Sequence, residues 1–154
     1  MTHLTFKLLE ALSGKTLATA ESCTGGMIGE RITAVPGSSK VYKGGIISYT
    51  NEIKQNLLGV DKTLLEKEGA VSAPVAKAMA EGARRVLSAD IAVSVTGLAG
   101  PGGDDRGNPV GTVYIGYADE KGAEAVSFLF AGDRDAVRIQ ASEAALELIL
   151  SKNC

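Results

Sequence analysis

The spacing of apolar positions changes character along the chain, and each change marks a new element. Leu4, Leu8, Ala11 and Leu12 share one helical stripe and Gly14 is placed to end it, so 3–13 reads as an amphipathic helix. "KTLATA" (15–20) supplies the first strand, and "TGGMIGERITAV" (24–35) a helix stopped by "PGSS". The β-rich run "VYKGGIISYT" (41–50) is a second strand, followed by Asn51 as the N-cap of "EIKQNLLG". Asp61 caps a short helix, "KTLLEKEG", and Ser72, with Pro74 in the first turn, opens the long helix "APVAKAMAEGARRVLSA". "DIAVSVTG" (90–97) has the short β-branched apolar run of a strand buried on both faces. After the loop "LAGPGGDDRGNP" (98–109), "VGTVYIGYA" and "AEAVSFLFA" flank "DEKG", the pattern of an antiparallel hairpin. Asp133 then caps a last helix that runs to about Ser151.

This order mixes helical crossovers with one hairpin. It predicts a single α/β domain over residues 1–154, a three-layer α/β/α arrangement whose mixed sheet includes one antiparallel hairpin. Composition adds that the core needs no staples: 45% of the 154 residues are hydrophobic and 22% charged, ordinary globular values. The 16 basic and 18 acidic residues are well mixed, so no face is expected to attract nucleic acid. No stretch approaches the roughly 18 apolar residues of a membrane span, and "MTHLTFKLLEALSG" lacks the apolar centre of a signal peptide. The expectation is a cytosolic protein with no membrane partner. Cys23 and Cys154 have neither metal-ligand spacing nor the look of a disulfide framework.

Chemistry is narrowed first by elimination. The only histidine is His3, close to a terminus, so a serine-histidine-aspartate triad has no base. Cys and His clusters at zinc spacing are absent as well, which leaves acid-base work to Lys, Tyr, Asp or Glu. "TAESCTGG" (19–26) lies between a predicted strand and a predicted helix, in a turn that projects Ser22 from the sheet edge. The amides of Thr24, Gly25 and Gly26 would open that helix unpaired, as donors for an oxyanion or a phosphate. The competing structural reading is that Ser22 or Thr24 caps the helix while the glycines allow close packing.

In "SYTNEIK", Tyr49 ends a strand and Lys54 falls in the first turn of the next helix. A cation there faces the positive end of the helix dipole, which pushes its pKa down, further in a dry site. Such a lysine can accept a proton from a serine, with Tyr49 relaying or steadying it; the bland alternative is a solvated lysine. "TGLAGPGG" (96–103) sits after a buried strand, where α/β sheets place ligand loops, but has neither P-loop nor dinucleotide spacing. Asp104/Asp105 and Asp133/Asp135 read as a solvated loop and a helix cap ahead of a metal site. Arg134 and Arg138 of "GDRDAVR" lie near a helix start and serve either a substrate phosphate or surface salt bridges.

Taken together, "TAESCTGG", "GGIISYTNEIK", "GAVSAPVAKAMAEGA", "VTGLAGPGG", "PVGTVYIG" and "GDRDAVR" resemble the CinA C-terminal domain family, over about residues 16 to 145. Its stand-alone members are nicotinamide-nucleotide amidases; its larger members carry a further N-terminal domain of which nothing is seen here. The resemblance implies hydrolysis of the carboxamide of nicotinamide mononucleotide, a step of pyridine nucleotide salvage. Residue by residue, it implies Ser22 as nucleophile with Tyr49 and Lys54 as its catalytic partners, and Asn51 of the same Y-x-N-x-x-K pattern among the substrate-binding residues. Thr24, Gly25 and Gly26 would hold the oxyanion, Gly97, Ala99 and Gly100 the ring or ribose, and Arg134 the phosphate. Cys23 is the rival nucleophile, but adjacent residues of a tight turn point apart, so Cys23 reads as packing. No metal or organic cofactor is needed, the partner is a small-molecule nucleotide, and a homodimer is implied. Two other readings stand beside this one: a module that binds a pyridine nucleotide without turning it over, and an amidase acting on another small carboxamide.

Overall fold

The computed structural model describes residues 2–154. In chain order the elements are α1 (Thr2–Ala11), β1 (Leu17–Glu21), α2 (Met27–Thr33), β2 (Tyr42–Ile47), α3 (Asn51–Asn56), α4 (Lys62–Glu68), α5 (Ala73–Val86), β3 (Ile91–Gly97), β4 (Thr112–Asp119), β5 (Gly122–Leu129) and α6 (Arg134–Asn153). The strands form one mixed sheet in the order β2-β1-β3-β4-β5. β1 runs parallel to both β2 and β3, whereas β3–β4 and β4–β5 are antiparallel pairs. The expected hairpin is the β4–β5 pair, and its turn is tightened by the Lys121 amide donating to Asp119 Oδ1 at 2.8 Å.

Strand β3 is apolar on both sides because both sides are covered. Ile91, Val93 and Val95 pack with Leu8, Ile28 and Val137 of the layer built by α1, α2 and α6. Ala92 faces the other way, with Ala18 and Ala20 of β1, toward Val75, Met79 and Ala83 of α5. The residues on this second face are small, which lets α5 come very close. A Cβ on Gly116 would lie 2.3 Å from the Ala76 carbonyl, and Ser94 Oγ donates to that same carbonyl at 2.6 Å. Caps fix the helix starts where the sequence places them: Asp61 for α4, Ser72 for α5 and Asp133 for α6 each accept from a first-turn amide.

Several boundaries differ from the sequence reading; β2 ends at Ile47 and not at residue 50, so Tyr49 lies beyond the strand it was expected to end. Helix α2 begins at Met27 instead of residue 24, because Gly25 (φ +60°) and Gly26 (φ +111°) adopt left-handed conformations that a right-handed helix cannot contain. Thr50, not Asn51, caps α3: the chain is still extended at Thr50, whose hydroxyl accepts from the Ile53 amide at 3.4 Å, and Asn51 is already helical. Among the described residues no helix is long and apolar enough to cross a membrane.

The connectivity decides where a site can form. β1 leads to β2 through α2 on one face, and β2 returns to β3 through α3, α4 and α5, with α5 on the opposite face. The two crossovers diverge at the carboxyl end of β1, leaving the crevice that open α/β sheets use for ligands.

Candidate active site

Ser22 stands at that crevice, one residue past β1. Its amide donates to the Val95 carbonyl at 2.9 Å, continuing the parallel ladder, and then the chain turns, with the Gly25 amide closing onto the Ser22 carbonyl at 3.1 Å. Lys54 enters from α3. Its Nζ donates to Ser22 Oγ at 3.0 Å and to the Ser48 carbonyl at 2.8 Å. Lys54 is 2% exposed and Ser22 7%. Burial penalises the ammonium form and lowers the Lys54 pKa from 10.5 to about 8, with Cys23 alongside acting weakly in the other direction. The dipole of the six-residue α3, invoked from the sequence, is therefore not the leading cause. At neutral pH roughly a tenth of such a lysine is uncharged and able to take the serine proton at hydrogen-bond distance.

Cys23 is buried and its thiol is pushed up to about 11, chiefly by desolvation. It stays protonated at physiological pH and is a poor nucleophile there. The carbonyls of Cys23 and Thr24 accept from Arg138 Nε (2.9 Å) and Nη2 (3.1 Å), so this arginine of α6 braces the serine turn and does not face the crevice.

The expected donors are only partly available. The Gly25 amide is taken by the Ser22 carbonyl, and the Gly26 amide by Glu21 Oε1 at 3.2 Å, so neither opens the helix unpaired. Thr24 is fully buried beneath the turn, and the crevice is walled by Ser22 and Cys23 but not by Thr24, Gly25 or Gly26. Among the described residues the amides of Cys23 and Thr24 have no backbone acceptor, and the Cys23 amide lies against its own thiol. Glu21 itself, which sequence reasoning passed over, accepts three amides at the start of α2; its signal was an acidic residue just ahead of a helix.

Tyr49 does not reach the Ser22–Lys54 pair. It is 58% exposed, and its hydroxyl accepts from Arg134 Nη2 at 3.1 Å, too far out on the rim to relay a proton in this arrangement. Arg134 also donates to the Gly100 carbonyl at 2.6 Å, so the β2–α3 connection, the glycine loop and the start of α6 are joined at one point. Asn51, Gly97, Ala99 and Gly100 line the same cavity, of about 870 Å³, as Ser22 and Lys54. At Gly97 a side chain has no room, since a Cβ would sit 2.7 Å from Val113 Cγ2 and 2.8 Å from the Thr112 carbonyl.

The acidic groups of the glycine loop have structural partners. Asp104 accepts from the Asn108 side chain (2.7 Å) and from the amides of Asn108 (3.0 Å) and Arg106 (3.1 Å), bonds that hold its carboxyl below the usual range. Arg106 in turn donates to the carbonyls of Glu66 and Lys67 at the end of α4, which ties the loop to that helix. Among the described residues no three His, Cys, Asp or Glu side chains are grouped to hold a metal.

Comparison with known proteins bears on the family and the fold. The family model described as the CinA C-terminal domain matches residues 2–153. A CinA-like protein of Geobacter sulfurreducens is 54% identical over 134 residues, which is 87% of this chain and 32% of that protein. A CinA-like protein of an Anaeromyxobacter species is 50% identical over 139 residues, covering 90% of this chain and 34% of the relative. The chain thus spans about a third of the length of the curated relatives it matches. Two solved structures superpose nearly end to end. The competence or damage-inducible protein of Enterobacter asburiae gives a TM-score of 0.97 at 34% identity, over 99% of this chain and 98% of that one. The competence/damage inducible protein of Agrobacterium tumefaciens gives 0.95 at 36% identity, over 99% and 95%. The chain belongs to the CinA C-terminal domain family.

Proposed function

We propose that this chain is an amidase that hydrolyses the carboxamide of nicotinamide mononucleotide to the carboxylate and ammonia, with Ser22 as nucleophile and Lys54 as base. The observation that carries the reading is the buried contact between Lys54 Nζ and Ser22 Oγ, at 3.0 Å, with the lysine pKa lowered to about 8. Neutral Lys54 takes the Ser22 proton as Oγ bonds to the amide carbon. The tetrahedral oxyanion falls to the amides of Cys23 and Thr24, the residues that follow the nucleophile, and one such donor is typically worth about 3–4 kcal/mol. Lys54 then passes its proton to the leaving nitrogen, ammonia departs, and an acyl ester remains on Ser22. A water, deprotonated by Lys54, attacks the ester; the acid leaves and Ser22 regains its proton.

Recognition falls to the cavity walls. Its volume, about 870 Å³, suits a mononucleotide. Asn51, Gly97, Ala99 and Gly100 serve the ring and ribose, and the Arg134 guanidinium serves the phosphate from the rim, with Tyr49 orienting it. The choice of nicotinamide mononucleotide rests on the resemblance of the sequence motifs to the CinA C-terminal domain family, and the same proposal includes a cytosolic setting, a homodimer, and no metal or organic cofactor. The test is ammonia release from nicotinamide, its riboside and its mononucleotide by the wild type, Ser22→Ala and Cys23→Ala. Turnover of the mononucleotide that survives in Cys23→Ala and is lost in folded Ser22→Ala supports the reading. Turnover of the smaller amides with no gain from the phosphate redirects it to another carboxamide, and tight nucleotide binding without ammonia release makes the chain a binding module.

A further inference from the structure

Glu21, the last residue of β1, is 2% exposed and its carboxylate has no Lys or Arg partner among the described residues. A buried carboxylate is costly unless its oxygens are hydrogen-bonded. Here the backbone supplies the bonds: Oε1 accepts from the amides of Gly26 (3.2 Å) and Ile28 (2.9 Å), and Oε2 from that of Gly29 (3.0 Å). All three partners are donors, the set that matches an ionised carboxylate. The bonds close the chain from Glu21 to Gly29 into a loop, and Ser22 is its first free residue.

The main chain of Glu21 reaches the other half of the pair. Its carbonyl accepts from the Ser48 amide at 2.8 Å, and the Ser48 carbonyl accepts from Lys54 Nζ at 2.8 Å. Position 21 is thus bonded to the turn that carries the nucleophile and, through one residue, to the base. We infer that Glu21 is a positioning residue for the Ser22–Lys54 pair: its carboxylate holds the serine turn closed so that Oγ stays within reach of Nζ. This inference rests on the serine-lysine reading but not on the identity of the substrate. A mere helix cap at this place would affect stability alone, whereas a positioning group also sets the reactivity of Ser22.

Side-chain substitutions separate the two roles, because they leave the Glu21 carbonyl in place. Glu21→Gln keeps one acceptor oxygen for Gly26 and Ile28 and turns an NH₂ group toward the Gly29 amide; Glu21→Ala removes all three bonds. The experiment reads two quantities on folded wild type and variants, with melting temperature as the control. The first is the rate at which a fluorophosphonate labels Ser22, where Oγ bonds to phosphorus, fluoride leaves and the serine proton is released, followed by intact mass. The second is kcat and KM for ammonia release from nicotinamide mononucleotide. Misplacement of a reacting group by an ångström costs about a hundredfold in rate. The expected result is labelling slowed about tenfold in Glu21→Gln and about a hundredfold in Glu21→Ala, kcat falling in parallel, and KM within about twofold of wild type. Wild-type labelling rates in folded variants of lowered melting temperature would overturn the inference and leave a cap; if Glu21→Ala does not fold, Glu21→Gln decides alone. A wild type that labels at Ser22 without releasing ammonia defeats the proposed substrate while the labelling rates still judge Glu21. A wild type that does not label defeats both.

Discussion

Ser22 with Lys54, and Tyr49 with Arg134, are two pairs that share the "SYTNEIK" segment through Lys54 and Tyr49, and the fold treats them in opposite ways. The first lies at the floor of the cavity, almost out of water, with Ser22 Oγ and Lys54 Nζ bonded to each other and Nζ also to the Ser48 carbonyl. The second lies on the rim, where Tyr49 is more than half exposed and Arg134 is held by one phenol and one carbonyl. Burial gives the floor its altered lysine and a geometry set in advance; exposure gives the rim a charge that water screens and a substrate can borrow. Chemistry and recognition should therefore separate in kinetics, the floor acting on kcat and the rim on KM.

Removing the floor is the severest way to test this division. Ser22→Ala and Lys54→Met should each lower kcat for nicotinamide mononucleotide by at least about 10³-fold while leaving nucleotide binding within a few-fold, as paired catalytic groups do when either is lost. Ammonia release and equilibrium binding on the same preparations check it. A Lys54→Met enzyme with near wild-type kcat would remove the base from the floor.

The burial of Lys54 also fixes a pH dependence. The neutral form is the active one, so kcat/KM should rise about tenfold per pH unit below pH 8 and level off above it. Stability follows the same group. The folded pKa, about 8, lies below the ordinary 10.5, so the unfolded chain binds more protons between these values and wild-type stability rises with pH there. Below pH 8 the full penalty is present, about 3 kcal/mol. Denaturant unfolding of wild type against Lys54→Met should show wild type gaining about that much relative to the variant from pH 7 to pH 10.5. A constant difference would mean that Lys54 is not desolvated.

How much of this was legible depends on whether the determining partner is near in sequence. The helix caps at Asp61, Ser72 and Asp133, the hairpin around "DEKG" and the doubly covered β3 follow from local patterns, and the structure has them. Ser22 could be singled out because a strand, a turn and a helix are all readable around it. Its donors could not, since the Gly26 amide is claimed by the Glu21 carboxylate folding back over the turn, a competition that only geometry settles. Lys54 was found with the wrong leading cause, because it is desolvated where its ammonium meets Ser22 and Ser48, just past the ends of β1 and β2, which its own helix does not reveal. Tyr49 was placed at the chemistry by the resemblance of Y-x-N-x-x-K to the family's motif; in the free protein its hydroxyl meets Arg134 on the rim instead.

On the rim the expected effects are smaller and of another kind. Arg134→Ala should raise KM for the mononucleotide about tenfold with kcat within about twofold, and should leave the riboside, which lacks the phosphate, unaffected. An equal loss on both substrates would show that Arg134 supports the glycine loop through its bond to Gly100 and does not read the phosphate.

The smallest effect, and the sharpest for the comparison, is expected at Tyr49. Tyr49→Phe deletes only the hydroxyl that accepts from Arg134, an exposed bond worth at most about 1 kcal/mol, so KM should rise no more than about fivefold and kcat should hold. A phenol that joined the proton transfer would instead lower kcat by about 10²-fold or more. Such a loss would mean that the substrate draws Arg134 away and lets Tyr49 turn down to the serine and lysine, making the boundary between floor and rim a feature of the free protein alone. Measuring kcat for Tyr49→Phe with and without Arg134→Ala separates the two cases. If Tyr49 acts only through the arginine, its removal costs nothing further once the arginine is gone; if it acts on the proton, the loss in kcat persists in the double variant.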